Sequence, residues 1–145
     1  MNPGMYSSAT PEWATPRGLL ADLAERYGPF DLDPCATPES AAAPRFFTKA
    51  DDGLSKPWTG RVFMNPPYGR EIPRWVAKAW EESRANADIV VCLLPARTDT
   101  RWWHDHVMRV WPDGITFLRG RLRFGGAKNS APFPSAVVVF RKDLL

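Results

Sequence analysis

The sequence predicts an α/β fold, in which a mostly parallel sheet is flanked by helices within a single compact domain. Residues 89–94, IVVCLL, form an apolar run without alternation that Pro95 closes, which is typical of a strand covered on both faces. Helical and strand-like segments alternate along the chain, as in proteins built around a parallel sheet. The 145 residues, of which 44% are hydrophobic, suffice for one core without disulfides or metals.

The N-terminal segment leads into the first predicted helix. Residues 1–12 are mostly small and polar and include prolines, so we predict a flexible terminus followed by one domain over residues 13–145. Thr15 is predicted to cap the helix and Pro16 to occupy its first position, where a missing N–H costs nothing. Apolar residues then recur at helical spacing until Gly28 ends the helix.

Short extended segments and a longer helix follow. Residues 30–33 and 45–48 predict two short strands on either side of one helical turn at residues 39–43. Residues 61–64 predict a further strand. A helix that begins at Pro73 and has one apolar face is predicted to continue to residue 87.

The last third of the chain predicts one helix and a group of strands. Residues 99–110 predict the helix, with tryptophans available for packing. Residues 115–118, 121–124 and 136–140 predict strands, of which the last two are separated by the turn-rich segment 125–134.

Positive charge is concentrated near the C-terminus. The net charge of +3 permits nucleic-acid binding without arguing for it, but residues 114–142 contain no acidic residue and six basic ones. If residues 118–124 are extended, their three arginines share one face, which suits a row of phosphates, although a solvated strand face explains the pattern equally well. The candidate polyanion contacts are Arg97, Arg101, Arg119, Arg121, Arg123 and Lys128.

The stretch NPPY at residues 65–68 directly follows a predicted strand. The Asn65 side chain offers an acceptor oxygen, and the Pro66 carbonyl offers a second one in a backbone that the rings of Pro66 and Pro67 hold rigid. Tyr68 offers a flat face for a planar heterocycle. The four residues therefore suit an exocyclic amine on a nucleobase. The alternative is a proline-rich turn with Tyr68 in the core.

Two acidic turns precede this stretch. Asp33 lies where the strand at residues 30–33 should stop, so its carboxylate is placed to bind a ribose or an ammonium group, unless it only caps the next turn. Asp52 lies beside Gly53 in the second turn and is a weaker candidate. The adjacent Asp51 is best explained as part of a solvated turn.

Several classes of function are disfavoured. The cysteines and histidines lack metal-ligand spacing, so no metal site is predicted. The sequence has neither a leader peptide nor an apolar run near the roughly 18 residues of a membrane span, so we expect no membrane association and a cytoplasmic protein. No cysteine or serine has the surroundings of a catalytic nucleophile.

Seven segments of the chain together match a known family. They are WATP at 13–16, FDLDPCA at 30–36, DGL at 52–54, Trp58, NPPY at 65–68, LPARTDT with Trp102, and GRLRF at 120–124. In this order they resemble the phage-type DNA N6-adenine methyltransferases, the phage Dam-like family. The resemblance covers residues 13–141, nearly the whole chain, and extends to phage or prophage origin in a bacterial host.

The resemblance implies a minimal Rossmann-like class I methyltransferase sheet that uses S-adenosylmethionine. It implies that the NPPY residues, Asn65, Pro66, Pro67 and Tyr68, hold the amine of an adenine flipped out of DNA. The implied cofactor-binding residues are Trp13, Thr15, Pro16, Asp33, Pro34, Cys35, Asp52 and Asn65. DNA is the implied partner of a monomer or homodimer, and the basic residues named above become its contacts.

The chain departs from the wider methyltransferase pattern in two respects. The loop after Asp33 lacks the usual glycine-rich turn, and the interval from Asp33 to Asn65 is too short for two strand–helix units. No segment is left for a separate target-recognition domain, so loops of the catalytic domain or a second subunit must read DNA. Two alternatives therefore stay open: transfer to cytosine N4 or another amino group, and a non-catalytic DNA-binding protein on a degenerate methyltransferase scaffold.

Overall fold

The computed structural model describes residues 14–125 and 127–144, which form a mixed α/β domain with a six-stranded sheet flanked by helices. The strands are β1 (Leu32–Asp33), β2 (Arg45–Phe46), β3 (Gly60–Met64), β4 (Ala87–Pro95), β5 (Ile115–Phe117) and β6 (Ser135–Phe140). The α-helices are α1 (Arg17–Tyr27), α2 (Ile72–Ala85) and α3 (Arg101–Asp105). Short 3₁₀ helices occupy Gly53–Ser55, Val107–Val110 and Lys142–Leu144. No helix within these ranges has both the length and the apolar character that a bilayer crossing requires.

The strands follow the order β2-β1-β3-β4-β6-β5 across the sheet. The first four in this order run parallel, whereas β6 runs antiparallel to both β4 and β5. Parallel neighbours need a crossover connection, which α2 supplies between β3 and β4. This open, mostly parallel sheet confirms the predicted Rossmann-like α/β architecture. It also brings the C-terminal ends of β1, β3 and β4 to one edge.

The core is centred on β4 and β6. All six residues of β6 are buried, and so is every residue of β4 except Asp88. Successive side chains of a strand point to opposite faces, so the burial of all residues from 89 to 95 shows that β4 is covered on both faces, as the apolar run at residues 89–94 predicts. Burial raises the pKa of the Cys92 thiol in this strand, so the thiol stays protonated and packs as a small apolar group.

The start of α1 differs from the prediction. The helix begins at Arg17 with Pro16 as its N-cap, and no side chain caps it. Thr15 therefore does not serve as the helix cap. Its hydroxyl instead accepts a hydrogen bond of 3.1 Å from the side-chain amide of Asn65, a tertiary contact that local sequence rules do not foresee.

The helix predicted over residues 99–110 is two shorter helices. Thr100 caps α3 by accepting a hydrogen bond from the Trp103 backbone N–H, and α3 ends at Asp105. The backbone leaves the helical region at His106, with φ −123° and ψ −52°, before a 3₁₀ turn continues to Val110. The single-helix prediction is wrong because helical periodicity alone does not detect such a break.

Two further local predictions are wrong. Residues 121–124 form no strand. The Leu122 carbonyl accepts a backbone hydrogen bond of 2.7 Å from Ala131, and the next residue after the segment, Gly125, forms an isolated bridge with Ala14. The expected separation of faces nevertheless holds, since the three arginines are exposed whereas Phe124 is buried. Residues 39–43 form no helical turn either, because hydrogen bonds between the side chains and backbone of Thr37 and Ser40 make a tighter turn there.

Candidate active site

Three loops meet at the edge of the sheet where parallel strands end. They begin at Pro34 after β1, at Asn65 after β3 and at Ala96 after β4. The three strands are neighbours in the order β1-β3-β4, so the loops lie side by side. Open α/β sheets bind ligands at this edge.

Asn65 joins two other parts of the predicted site. Its side chain is only 5% exposed, and its Nδ2 donates to the Thr15 hydroxyl just before α1. The Asn65 backbone carbonyl accepts a hydrogen bond from the Cys35 thiol at 3.4 Å, in the loop after β1. The structure thus brings together Thr15, Cys35 and Asn65, which are distant in sequence. Pro66 is buried beside them and Pro67 is half-buried.

Tyr68 lies in an aromatic cluster. Its hydroxyl donates to the Leu93 carbonyl at 3.2 Å, which ties the loop after β3 to β4. Phe124 and Phe133 pack edge-on against its ring, with centroids 6.1 Å and 5.4 Å away. The side chain is 7% exposed, and burial raises the pKa of the phenol, which therefore stays protonated. Tyr68 is therefore buried in the core, as the alternative interpretation of NPPY expects. It belongs at the same time to the loop after β3.

Asp33 holds the loop after β1 in place. Its two carboxylate oxygens accept backbone hydrogen bonds from Cys35 at 3.2 Å and from Ala42 at 3.1 Å. Desolvation by burial nevertheless raises the pKa of Asp33 to about 6, because it outweighs those two hydrogen bonds. Asp33 is therefore a buried carboxylate at the ligand-binding edge that a nearby cation would stabilise.

The Asp52 turn packs directly on this loop. Asp52 is exposed and has a left-handed backbone, with φ 56°, which is uncommon for a residue other than glycine. At Gly53 a Cβ would lie 2.1 Å from the Pro34 carbonyl oxygen, so only glycine fits there. The Gly53 carbonyl in turn accepts a hydrogen bond from the buried Trp58 indole at 2.9 Å. The predicted residues Pro34 and Asp52 therefore belong to one packed unit.

The basic residues divide into two groups. The Arg97 guanidinium lies 5.6 Å from the centre of the Phe133 ring, which packs against Tyr68, so Arg97 borders the candidate site. Arg119, Arg121, Arg123 and Lys128 are exposed on the segment between β5 and β6, where the Arg123 Nε donates to the Ala127 carbonyl. Arg101 is exposed at the start of α3. The structure describes no hydrogen bond or ion pair between Arg101 or Lys128 and the NPPY residues.

Two aromatic residues complete the site. Phe124 was part of the GRLRF segment, but its contact with Tyr68 had no local signal. The sequence analysis does not predict Phe133 as a site residue. The one local signal for it is its position as an aromatic residue between two prolines in an otherwise polar turn region. Trp13 and residues 1–12, predicted as a cofactor contact and a flexible terminus, lie outside the described residues.

Comparisons with known proteins identify sequences similar to this chain. The family model described as DNA N-6-adenine-methyltransferase (Dam) matches residues 5–143. A DNA N-6-adenine-methyltransferase of Escherichia phage T1 is 39% identical over 94 residues, which cover 63% of this chain and 38% of the relative. A protein of the same description from Haemophilus phage HP1 is 36% identical over 115 residues, covering 77% and 65%. The chain thus spans about two fifths to two thirds of the length of these relatives.

Proposed function

The chain belongs to the DNA N-6-adenine-methyltransferase (Dam) family, and from that membership we propose that it transfers a methyl group to the N6 amino group of adenine in DNA. The observation that carries the proposal is the position of Asn65. Its amide is held, almost fully buried, at the ligand-binding edge of the sheet, with the Pro66 carbonyl next in the chain. Two hydrogen-bond acceptors side by side match the two N–H groups of an amine.

The proposed cofactor is S-adenosylmethionine, which supplies an electrophilic methyl group on a sulfonium when bound. The residues at the edge of the sheet fit it, because the molecule carries positive charge and Asp33 is a carboxylate whose desolvation is unfavourable without a cation. Asp52 adds an exposed carboxylate on the turn that packs against Pro34. The remaining described candidates for cofactor binding are Thr15, Pro16, Pro34 and Cys35.

In the proposed reaction Asn65 and Pro66 act on the amine. The N6 lone pair is delocalised into the adenine ring, which makes the amine a poor nucleophile. Hydrogen bonds from its two N–H groups to the Asn65 side-chain oxygen and the Pro66 carbonyl favour a pyramidal nitrogen and hold it in line for attack. Bound S-adenosylmethionine would supply the methyl group, so that an N–C bond would replace the S–C bond, and the nitrogen would release one proton to water. The reaction needs no covalent intermediate with the protein.

The target base must leave the DNA duplex to reach these acceptors. In the proposed reaction the adenine flips out of the duplex and stacks on Tyr68. Because the Tyr68 side chain is buried and packs against Phe124 and Phe133, stacking on its face requires neighbouring side chains to move aside. Phe124 and Phe133 belong to the basic segment between β5 and β6, so contact of that segment with DNA would couple DNA binding to exposure of the Tyr68 ring.

The Asp33 carboxylate makes cofactor binding depend on pH. A cation favours the ionised carboxylate, so binding is expected to be constant above the pKa of about 6 and to weaken about tenfold for each pH unit below it. Calorimetric titration of S-adenosylmethionine between about pH 5 and about pH 8 measures this profile. Asp33→Asn has no carboxylate to protonate, so it should bind S-adenosylmethionine weakly and with an affinity that does not change with pH. A wild-type affinity that does not change over this range would contradict a charged contact through Asp33.

The exposed arginines predict a salt-dependent affinity for DNA. Arg121→Gln/Arg123→Gln is expected to lower the slope of log K against log salt concentration by about 2, one for each phosphate that an arginine no longer neutralises. Arg26→Gln/Arg84→Gln is a matched control, since it removes two charges near the ends of α1 and α2, away from the loop cluster. If the two double variants gave the same slope of log K against log salt concentration, DNA would not contact Arg121 and Arg123.

The decisive test is expression in a bacterial host that lacks adenine methylation, followed by mass spectrometry of nucleosides from the host DNA. N6-methyladenine, absent from an empty-plasmid control, is the expected product. N4-methylcytosine in its place would favour transfer to cytosine on the same fold. If no methylated base forms and the purified protein does not bind S-adenosylmethionine, the enzymatic proposal is wrong and a DNA-binding role replaces it.

A further inference from the structure

The Thr15 hydroxyl reaches the side chain that the proposed chemistry depends on. It accepts a 3.1 Å hydrogen bond from Asn65 Nδ2, across 50 positions of sequence. A threonine before a helix usually uses its hydroxyl to cap the first turn, yet α1 has no side-chain cap. The hydroxyl is thereby committed to Asn65 rather than to its own helix.

The backbone on both sides of Thr15 is anchored. The carbonyl of Ala14 accepts a 2.9 Å hydrogen bond from the Gly125 N–H, in the bridge that ties this segment to the region of Phe124. On the other side, the Pro16 carbonyl accepts the first hydrogen bond of α1, from Leu20 at 3.0 Å. Thr15 therefore presents its hydroxyl from a constrained position, which a flexible terminus could not do.

In the structure the Asn65 amide has one orientation, with its Nδ2 toward the Thr15 hydroxyl. The two ends of a carboxamide lie on opposite sides of its carbon, so a bond from Nδ2 to Thr15 turns Oδ1 in the other direction. The reversed amide would present N–H groups to the N–H groups of an adenine amine, which repel. Only the observed orientation offers the amine an acceptor.

We infer that Thr15 is a positioning residue for methyl transfer, which holds the Asn65 amide with its carbonyl end toward the adenine amine. The inference rests on the proposed function and adds a role to it. It differs from the cofactor contact that the family resemblance implies for Thr15, because the hydroxyl acts through Asn65 and not on S-adenosylmethionine.

The test compares Thr15→Val with Thr15→Ser in purified protein, with adenine-containing DNA and S-adenosylmethionine as substrates. Valine keeps the branched shape but removes the acceptor, so kcat is expected to fall about tenfold with both KM values unchanged. Serine keeps the hydroxyl and should restore kcat to within about threefold of the wild type. Thermal unfolding of both variants confirms that they are folded. A wild-type kcat in Thr15→Val, or a rise in the KM for S-adenosylmethionine alone, would overturn the inference.

A change at Asn65 separates orientation from general packing. In Asn65→Asp both side-chain oxygens are acceptors, so orientation no longer matters and adding Thr15→Val should lower kcat by less than about threefold. The same tenfold loss in both backgrounds would show that Thr15 acts in another way. An NMR spectrum gives a readout without activity, since the Asn65 side-chain amide signal should shift in Thr15→Val but not in Thr15→Ser.

The outcomes also separate this inference from the proposed function. If the wild type is active and Thr15→Val has the same kcat, the inference about Thr15 is wrong but the proposed function stands. An inactive wild type overturns the proposed methyl transfer and, with it, the catalytic part of the inference, whatever the NMR spectra show.

Discussion

Asn65→Ala is expected to lower the rate of adenine methylation about a thousandfold, the loss typical of removing a hydrogen-bonding group that acts in the transition state. Alanine has no acceptor for the amine, and it also leaves the Thr15 hydroxyl without its donor. The rate is measured as turnover of purified protein on adenine-containing DNA. The affinity for S-adenosylmethionine should change less than the rate, because Asn65 acts mainly on the amine.

Asn65→Asp is the matched control for this variant, because it keeps two acceptor oxygens in nearly the same volume. It is expected to retain activity within about tenfold of the wild type, whereas alanine does not. Since Asn65 is 5% exposed and hydrogen-bonded, unfolding curves are needed to show that both variants are folded. A folded alanine variant with wild-type turnover would remove Asn65 from the proposed mechanism.

Gly53→Ala has the largest expected effect on stability. The added Cβ would lie 2.1 Å from the Pro34 carbonyl oxygen and 3.3 Å from the Trp75 ring, so the Asp52 turn must move away from the loop after β1. Overpacking of this kind lowers the free energy of unfolding by about 2 to 4 kcal/mol, measurable by chemical denaturation. Displacing Pro34 also moves its neighbours Asp33 and Cys35, so S-adenosylmethionine should bind more weakly.

Gly18→Ala is the control for Gly53→Ala. Gly18 lies in the first turn of α1, and nothing comes within 4 Å of a Cβ placed there. Alanine is the better helix former, so this change should raise the free energy of unfolding by about 0.5 to 1 kcal/mol. If the two variants shifted stability in the same direction and to the same extent, packing of Gly53 on Pro34 would not explain the result.

The sheet was predictable because its strongest signals are local. The uninterrupted apolar run of β4 indicates burial on both faces, and residues 89–95 are all buried in the structure. The position of NPPY at the end of β3 could also be predicted from the sequence, since a short apolar run stops at Asn65. The break in the helix at residues 99–110 could not, because helical periodicity alone does not detect it, and the alternation at residues 121–124 did not show that no strand forms there.

The sequence by itself determined which residue types are available: acceptors at Asn65 and Pro66, carboxylates at Asp33 and Asp52, and arginines on one face of residues 118–124. The resemblance that these motifs carry was enough to indicate the family. Only the tertiary structure decided how they combine. It turned the Thr15 hydroxyl from the helix to Asn65, covered Tyr68 with Phe124 and Phe133, and packed Gly53 onto Pro34. These contacts join residues far apart in the chain, so their geometry follows from the packing of the sheet and its loops and from no local pattern.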